Sequence, residues 1–175
     1  MSKQQHQLYA EASEGFAPAI ARLAHTVEFN AAKARELEQD IHAELFKSFA
    51  RFDGRCALKT WVYRVAHNVA GEYKLRASRA MRTVALSDLD EVSLTDDSAR
   101  TDDEADALAR AQSLIRQLPL LDAQVMLLWL EAESAKDIAE ITGLTPGAVA
   151  TRINRLKSHI SESLSPPNPQ EHTHD

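Results

Sequence analysis

Cysteine is nearly absent from this 175-residue chain. Cys56 stands alone, so no internal disulfide can form and a scaffold of stapled loops is excluded. Glycine is scarce, at 5 residues, and strand-like alternation is hard to find, which argues against sheets. Aromatic residues make up only 6%. No apolar run approaches the roughly 20 residues needed to cross a bilayer, and the start MSKQQHQLYAEASEG lacks a signal-peptide core, so membrane insertion is not expected and the expected compartment is the cytoplasm. There is no Gly-rich phosphate loop and no paired metal-ligand motif. No motif sets Cys56 and His67 as nucleophile and base, so no enzyme, cofactor or metal is expected. In the tail SPPNPQEHTHD, His172 and His174 are too few to make a metal site.

What is present is helix-forming: Ala, Leu, Glu, Arg and Lys recur at helical spacing within a 44% hydrophobic composition, which implies an all-α fold. The most informative stretch is Ser134 to Ile160, which reads as a helix-turn-helix. Ser134 caps a first helix, with Asp137 three residues on as the acid of a capping box, and Ile138, Ala139 and Ile141 give it an apolar face. Gly143 ends that helix and Leu144 plugs the turn. Thr145 and Pro146 then start a second helix, where Val149, Ile153, Leu156 and Ile160 form one stripe. Off that stripe lie Ala148, Thr151, Arg152, Arg155 and Lys157, and no carboxylate occurs between Pro146 and Ile160. Such a face suits duplex DNA, where arginine pairs with guanine or clamps phosphate; the bland alternative is a solvated basic face.

The net charge of −6 hides a strong segregation. From Arg51 to Arg82 there are eight basic residues against Asp53 and Glu72, whereas from Ser87 to Ala107 nine acids face only Arg100. An acidic linker, extended and mobile by its Asp, Ser and Thr content, is therefore expected between two basic helical domains. The expected boundaries are 1–84, a linker over 85–104, a second domain over 105–165 and a disordered tail over 166–175.

In the first domain the apolar spacing predicts a helix from Leu8 to about Phe29, in which Pro18 marks either a start near Phe16 or a kink, the start being preferred. A second helix follows from about Ala32 to Phe52. After the Asp-Gly turn signal in FDGRCA, a third runs from Leu58 to about Arg79. That helix interleaves rings and cations: Tyr63, Arg64, His67, Asn68, Tyr73 and Lys74 cannot all be buried beside Trp61, Val62 and Val65. Such a surface suits single-strand capture, although rings at helical spacing are also what a core uses. In the second domain Leu108 to Leu118 forms a helix, Pro119 opens the next, and its apolar run to about Glu131 is the expected core.

The run DIHAELFKSFARFDGRCALKTWVYRVAHNVAGEYKLR resembles the second conserved region of bacterial sigma factors of the small extracytoplasmic-function group, in the sigma-70 superfamily. The helix-turn-helix resembles their fourth region, in the family's order. The resemblance implies a promoter-specificity subunit whose partners are core RNA polymerase and promoter DNA, both duplex and single-stranded non-template strand, with an anti-sigma protein as its regulator. It implies that Asp40, Glu44 and Leu45 bind polymerase, although these carboxylates also fit an ordinary solvated face. It implies that the minus-ten element is met by Asp53, Arg55 and Lys59 of the loop and by Trp61, Tyr63, Arg64, Asn68 and Lys74 of the helix. Ala148, Thr151, Arg152, Arg155 and Lys157 would read the minus-thirty-five element. The chain departs from the family at Ala43, where members often carry Gln, and at Ala148 and Ala150, where many carry Thr and Lys. Two other readings stay open: a stand-alone helix-turn-helix regulator, and a sigma-like protein that only sequesters a partner.

Overall fold

The computed structural model describes residues 3–85, 110–111 and 113–164. Helices α1 (Lys3–Val27), α2 (Ala31–Ser48) and α3 (Leu58–Ala85) form an N-terminal bundle. The rest, α4 (113–117), α5 (Leu120–Leu130), α6 (Ala135–Thr142) and α7 (Pro146–Leu164), form a C-terminal one. No strand occurs among the described residues. The expected linker and tail lie outside them, apart from Ala85, which ends α3.

The N-terminal core follows from three stripes. Ile20, Leu23 and Ala24 on α1, Leu37, Ile41 and Leu45 on α2, and Val62, Ala66 and Ala70 on α3 are all buried and meet along the bundle axis. The restart expected near Phe16 does not occur, because α1 runs unbroken through Pro18. Its buried stripe, Ala12 through Val27, spans the proline, so packing outweighs the one lost backbone hydrogen bond. Asn30 caps α2 by accepting the N–H groups of Ala32 and Lys33. That helix stops at Ser48, earlier than its periodicity predicts, and tightens into a 3-10 turn over Phe49–Arg51. The Ser48 hydroxyl donates to the Leu45 carbonyl at 2.8 Å and accepts from Trp61 Nε1 at 3.0 Å, which pins the turn to α3. Gly54, at φ +74°, reverses the chain toward α3.

In the C-terminal bundle, the turn motif is built as its sequence predicts. Ser134 Oγ accepts the Asp137 N–H at 3.1 Å, Gly143 is left-handed at φ 77°, and Thr145 Oγ1 accepts the Ala148 N–H at 3.2 Å. Val149, Ile153 and Leu156 are buried, and Ile160 is half-buried.

The two bundles pack on each other. Leu120 and Leu127 of α5 reach the N-terminal core, while Tyr63, Phe16 and Ala19 join the C-terminal core around Val125, Leu128 and Ile138. Polar contacts close the seam: Gln124 Nε2 donates to the His67 carbonyl at 3.0 Å, and the Arg22 guanidinium meets Glu131 Oε1 at 2.6 Å. The Arg116 guanidinium also lies 5.8 Å from the Phe29 ring centre.

Candidate polymerase and promoter interface

An open groove of about 750 Å³ runs between α2 and α3, lined among others by Asp40, Glu44, Arg51, Trp61, Arg64 and Asn68. It brings residues expected to meet polymerase and residues expected to meet DNA onto the two walls of one channel. Asp40 is exposed and Glu44 half-exposed, with Lys47 Nζ 3.6 Å from the latter. Leu45 is 1% exposed and belongs to the core, so it supports that face from behind and offers no contact surface.

On the α3 wall, Trp61 packs edge-on against Phe52 at 5.4 Å between ring centres, and its Nε1–H is committed to Ser48. The indole is thus held in place where it lines the groove. Asn68 is exposed two turns on. Asp53 and Arg55 do not join this group: Arg55 Nε lies 3.1 Å from Asp53 Oδ2, and the Arg55 N–H donates to Asp53 Oδ1. Lys74 does not line the groove, although Glu72 and Arg76 on either side of it do.

Lys59, Tyr63 and Arg64 face the C-terminal bundle. Lys59 Nζ lies 2.7 Å from Glu133 Oε2 and 3.4 Å from Asp137 Oδ2, and the Glu133 hydrogen bond raises the pKa of its ammonium. Arg64 Nη2 donates to the Glu140 carbonyl at 3.0 Å while still lining the groove. Tyr63 is 6% exposed, and burial, reinforced by nearby Glu131 and Glu133, pushes its phenol up to about 12. The expectation that Tyr63 and His67 would lie on an open surface therefore fails. They are one turn apart on α3, and α5 and α6 cover that side of it.

On α7, Thr151 is exposed and Ala148 half-buried near the helix start. Arg152 and Arg155 are held from below: both guanidinium groups meet the Asp122 carboxylate, Arg152 through Nη1 on Oδ1 and Arg155 through Nη2 on Oδ2 at 3.1 Å. Asp122 is 7% exposed, so the pair is a charge-assisted fork closed by a buried acid. Lys157 Nζ sits 5.1 Å from the Trp129 ring centre. All three basic groups thus have anchors on α5. Sequence reasoning missed Asp122; the signal was an acid inside the apolar run LLDAQVMLLWL. It also missed Glu133, Glu140 and Gln124, which act only through the other bundle.

Among the described residues, no group of three or more His, Cys, Asp or Glu side chains is placed to hold a metal, and no helix is long and apolar enough to cross a membrane.

Comparison with known proteins fits this geometry. The sigma-70 region 2 family matches residues 14–80 and the sigma-70 region 4 family matches residues 108–160, so the pair accounts for most of the chain. The RNA polymerase sigma-H factor of Pseudomonas aeruginosa is 27% identical over 156 residues, 84% of this chain and 79% of that protein. Two solved structures share the fold. The sigma factor RpoE, in complex with the anti-sigma factor NepR from Bartonella quintana, has a TM-score of 0.71 at 18% identity, covering 91% of this chain and 98% of that one. CnrH, in complex with the cytosolic domain of CnrY, has a TM-score of 0.60 at 20% identity, covering 93% and 97%. With both sigma-70 regions in order, on helices that carry the groove and the helix-turn-helix, the chain belongs to the sigma-70 family as an extracytoplasmic-function RNA polymerase sigma factor, which directs promoter-specific initiation.

Proposed function

We propose that the α2–α3 groove is where this sigma factor joins polymerase binding to strand capture, with Asp40 and Glu44 on the polymerase side and Trp61, Arg64 and Asn68 on the strand side. The observation that carries this is that all five line one channel. A base leaving the duplex loses a few kcal/mol of stacking, so a pocket that receives it must already be ordered. The clamped indole of Trp61 meets that need. Residues 1–84 then serve as the domain for polymerase and the minus-ten element. Residues 105–165 serve the minus-thirty-five element through Ala148, Thr151, Arg155 and Lys157, with Arg152 aligned by Asp122. Because the sigma factor RpoE shares this fold and was solved in complex with the anti-sigma factor NepR, an anti-sigma partner is part of the reading, and a cytoplasmic place follows from work on polymerase.

The test is run-off transcription with reconstituted holoenzyme and permanganate footprinting of the melted strand. Trp61→Ala should keep polymerase binding and lose open complexes. Since that change also removes packing against Phe52, exposed Asn68→Ala is the second variant, expected to lower open-complex occupancy roughly fivefold, the worth of one hydrogen bond of about 1 kcal/mol. Full melting by both variants sinks the assignment.

A further inference from the structure

Three buried residues, Val149, Ile153 and Leu156, fix which way α7 faces, so the side opposite them carries Gly147, Thr151, Asn154 and Ser158, all exposed. Most polar groups on and beside that side are committed within the fold. Thr151 Oγ1 donates to the Gly147 carbonyl at 3.0 Å, Arg152 and Arg155 close on Asp122, and Lys157 Nζ lies by the Trp129 ring. Asn154 differs. Its amide sets a carbonyl oxygen beside an NH2 group, and among the described residues neither has a hydrogen-bond partner. Helix stability does not account for it, because Asn is a weaker helix former than Ala or Lys at an exposed position inside a helix. Helix geometry places Asn154 within about 50° of the outward direction, whereas Arg152 and Lys157 stand about 110° from it. For a helix lying in the major groove, the outermost side chains meet base edges and the flanking ones meet the phosphates.

We infer that Asn154 reads an adenine of the minus-thirty-five element, its side-chain oxygen accepting from adenine N6 and its NH2 group donating to N7. The pairing rests on the reading proposed above, that α7 meets that duplex, and adds to it a residue that specifies one base. A side chain as short as Asn reaches a base edge only when the helix lies deep in the groove. Gly147, Ala148 and Ala150 permit this, since none of them carries a side chain long enough to hold the backbone off. Ser158, one turn farther on, offers a single hydroxyl, which accepts or donates to any base and specifies none.

The experiment uses holoenzyme reconstituted with the full chain and, as probe, a pool of promoter duplexes randomised over the minus-thirty-five segment, with bound molecules recovered and sequenced. Wild type is compared with Asn154→Ala and with Arg155→Ala. Asn154 is exposed and Ala is the stronger helix former, so the first variant should fold, which its thermal unfolding confirms. Asn154→Ala should lose about tenfold in the preference for adenine at one position and keep the preferences at all others. If it selects the same sequences as wild type while Arg155→Ala does not, the inference is overturned and α7 remains the reader of the element. An equal loss on every sequence overturns it as well, because the amide would then be holding a phosphate. A lost preference for a base other than adenine overturns the pairing. If wild type itself selects no sequence in this segment, the proposed minus-thirty-five reading fails and the inference falls with it, an outcome set apart by the wild-type pool alone.

Discussion

Asp122 shows how much one side chain decides at the residue scale. An acid in the first turn of LLDAQVMLLWL suits the helix dipole, but a buried carboxylate needs a cation as well, and Arg152 and Arg155 of α7 supply it. The two arginines were legible as the basic face of a recognition helix. Their tether was not, because it joins positions 30 and 33 residues apart that only the fold brings together. Breaking a buried ion pair ordinarily costs 3 to 5 kcal/mol, but the Arg155 side chain here is 63% exposed and can turn to solvent. Asp122→Asn should therefore lower stability by about 1–2 kcal/mol in urea unfolding. A loss below roughly 0.5 kcal/mol would place the pair among ordinary surface contacts. Leu45 teaches the complementary lesson. Sequence similarity assigned it to an interface beside Asp40 and Glu44, whereas helical register turns it inward.

At the scale of elements, the sequence was most readable where local chemistry alone decides. Ser134, Gly143 and Thr145 each do what a cap or a left-handed stop requires, and these choices need no information from elsewhere in the chain. Gly143 tests this directly. A methyl group there would meet nothing within 4 Å, so the cost of Gly143→Ala is purely the positive φ of +77°. The expected loss is about 1 kcal/mol, read from thermal unfolding, with α6 and α7 keeping their relative placement in a solved structure of the variant. No measurable loss would mean that the turn relaxes out of the left-handed region. Pro18 marks where local reasoning stopped working. The rule that proline begins or breaks a helix is sound, but the stripe on either side of it packs against α2 and α3 as one surface, and that tertiary term kept α1 whole.

For the whole molecule, two basic segments separated by an acidic one were visible in the charge pattern, and the family order of the two regions with them. That the halves would close on each other was not, because each surface is intelligible only beside the other. Tyr63 and His67 look like surface residues until α5 and α6 cover them. His67 gives this closure a pH signature. It is 6% exposed, its Nδ1 finds no hydrogen-bond partner, and burial drives its pKa from 6.5 down to about 4. The groups around it are the Tyr63 phenol on its own helix, and Glu131 of α5, which is engaged by Arg22 of α1. Since the closed form resists taking the proton that an exposed imidazole accepts, its stability is fully present above pH 6.5 and is lost as pH falls from there toward 4. Within that window the loss approaches about 1.4 kcal/mol per pH unit, the slope for one proton. The check is urea unfolding of the full chain at pH 7.5, 6.0 and 5.0 beside His67→Gln, which keeps a polar side chain but cannot titrate there. Wild type should weaken progressively more than the variant over this range. Parallel curves for the two proteins would leave His67 as an inert filler of the seam.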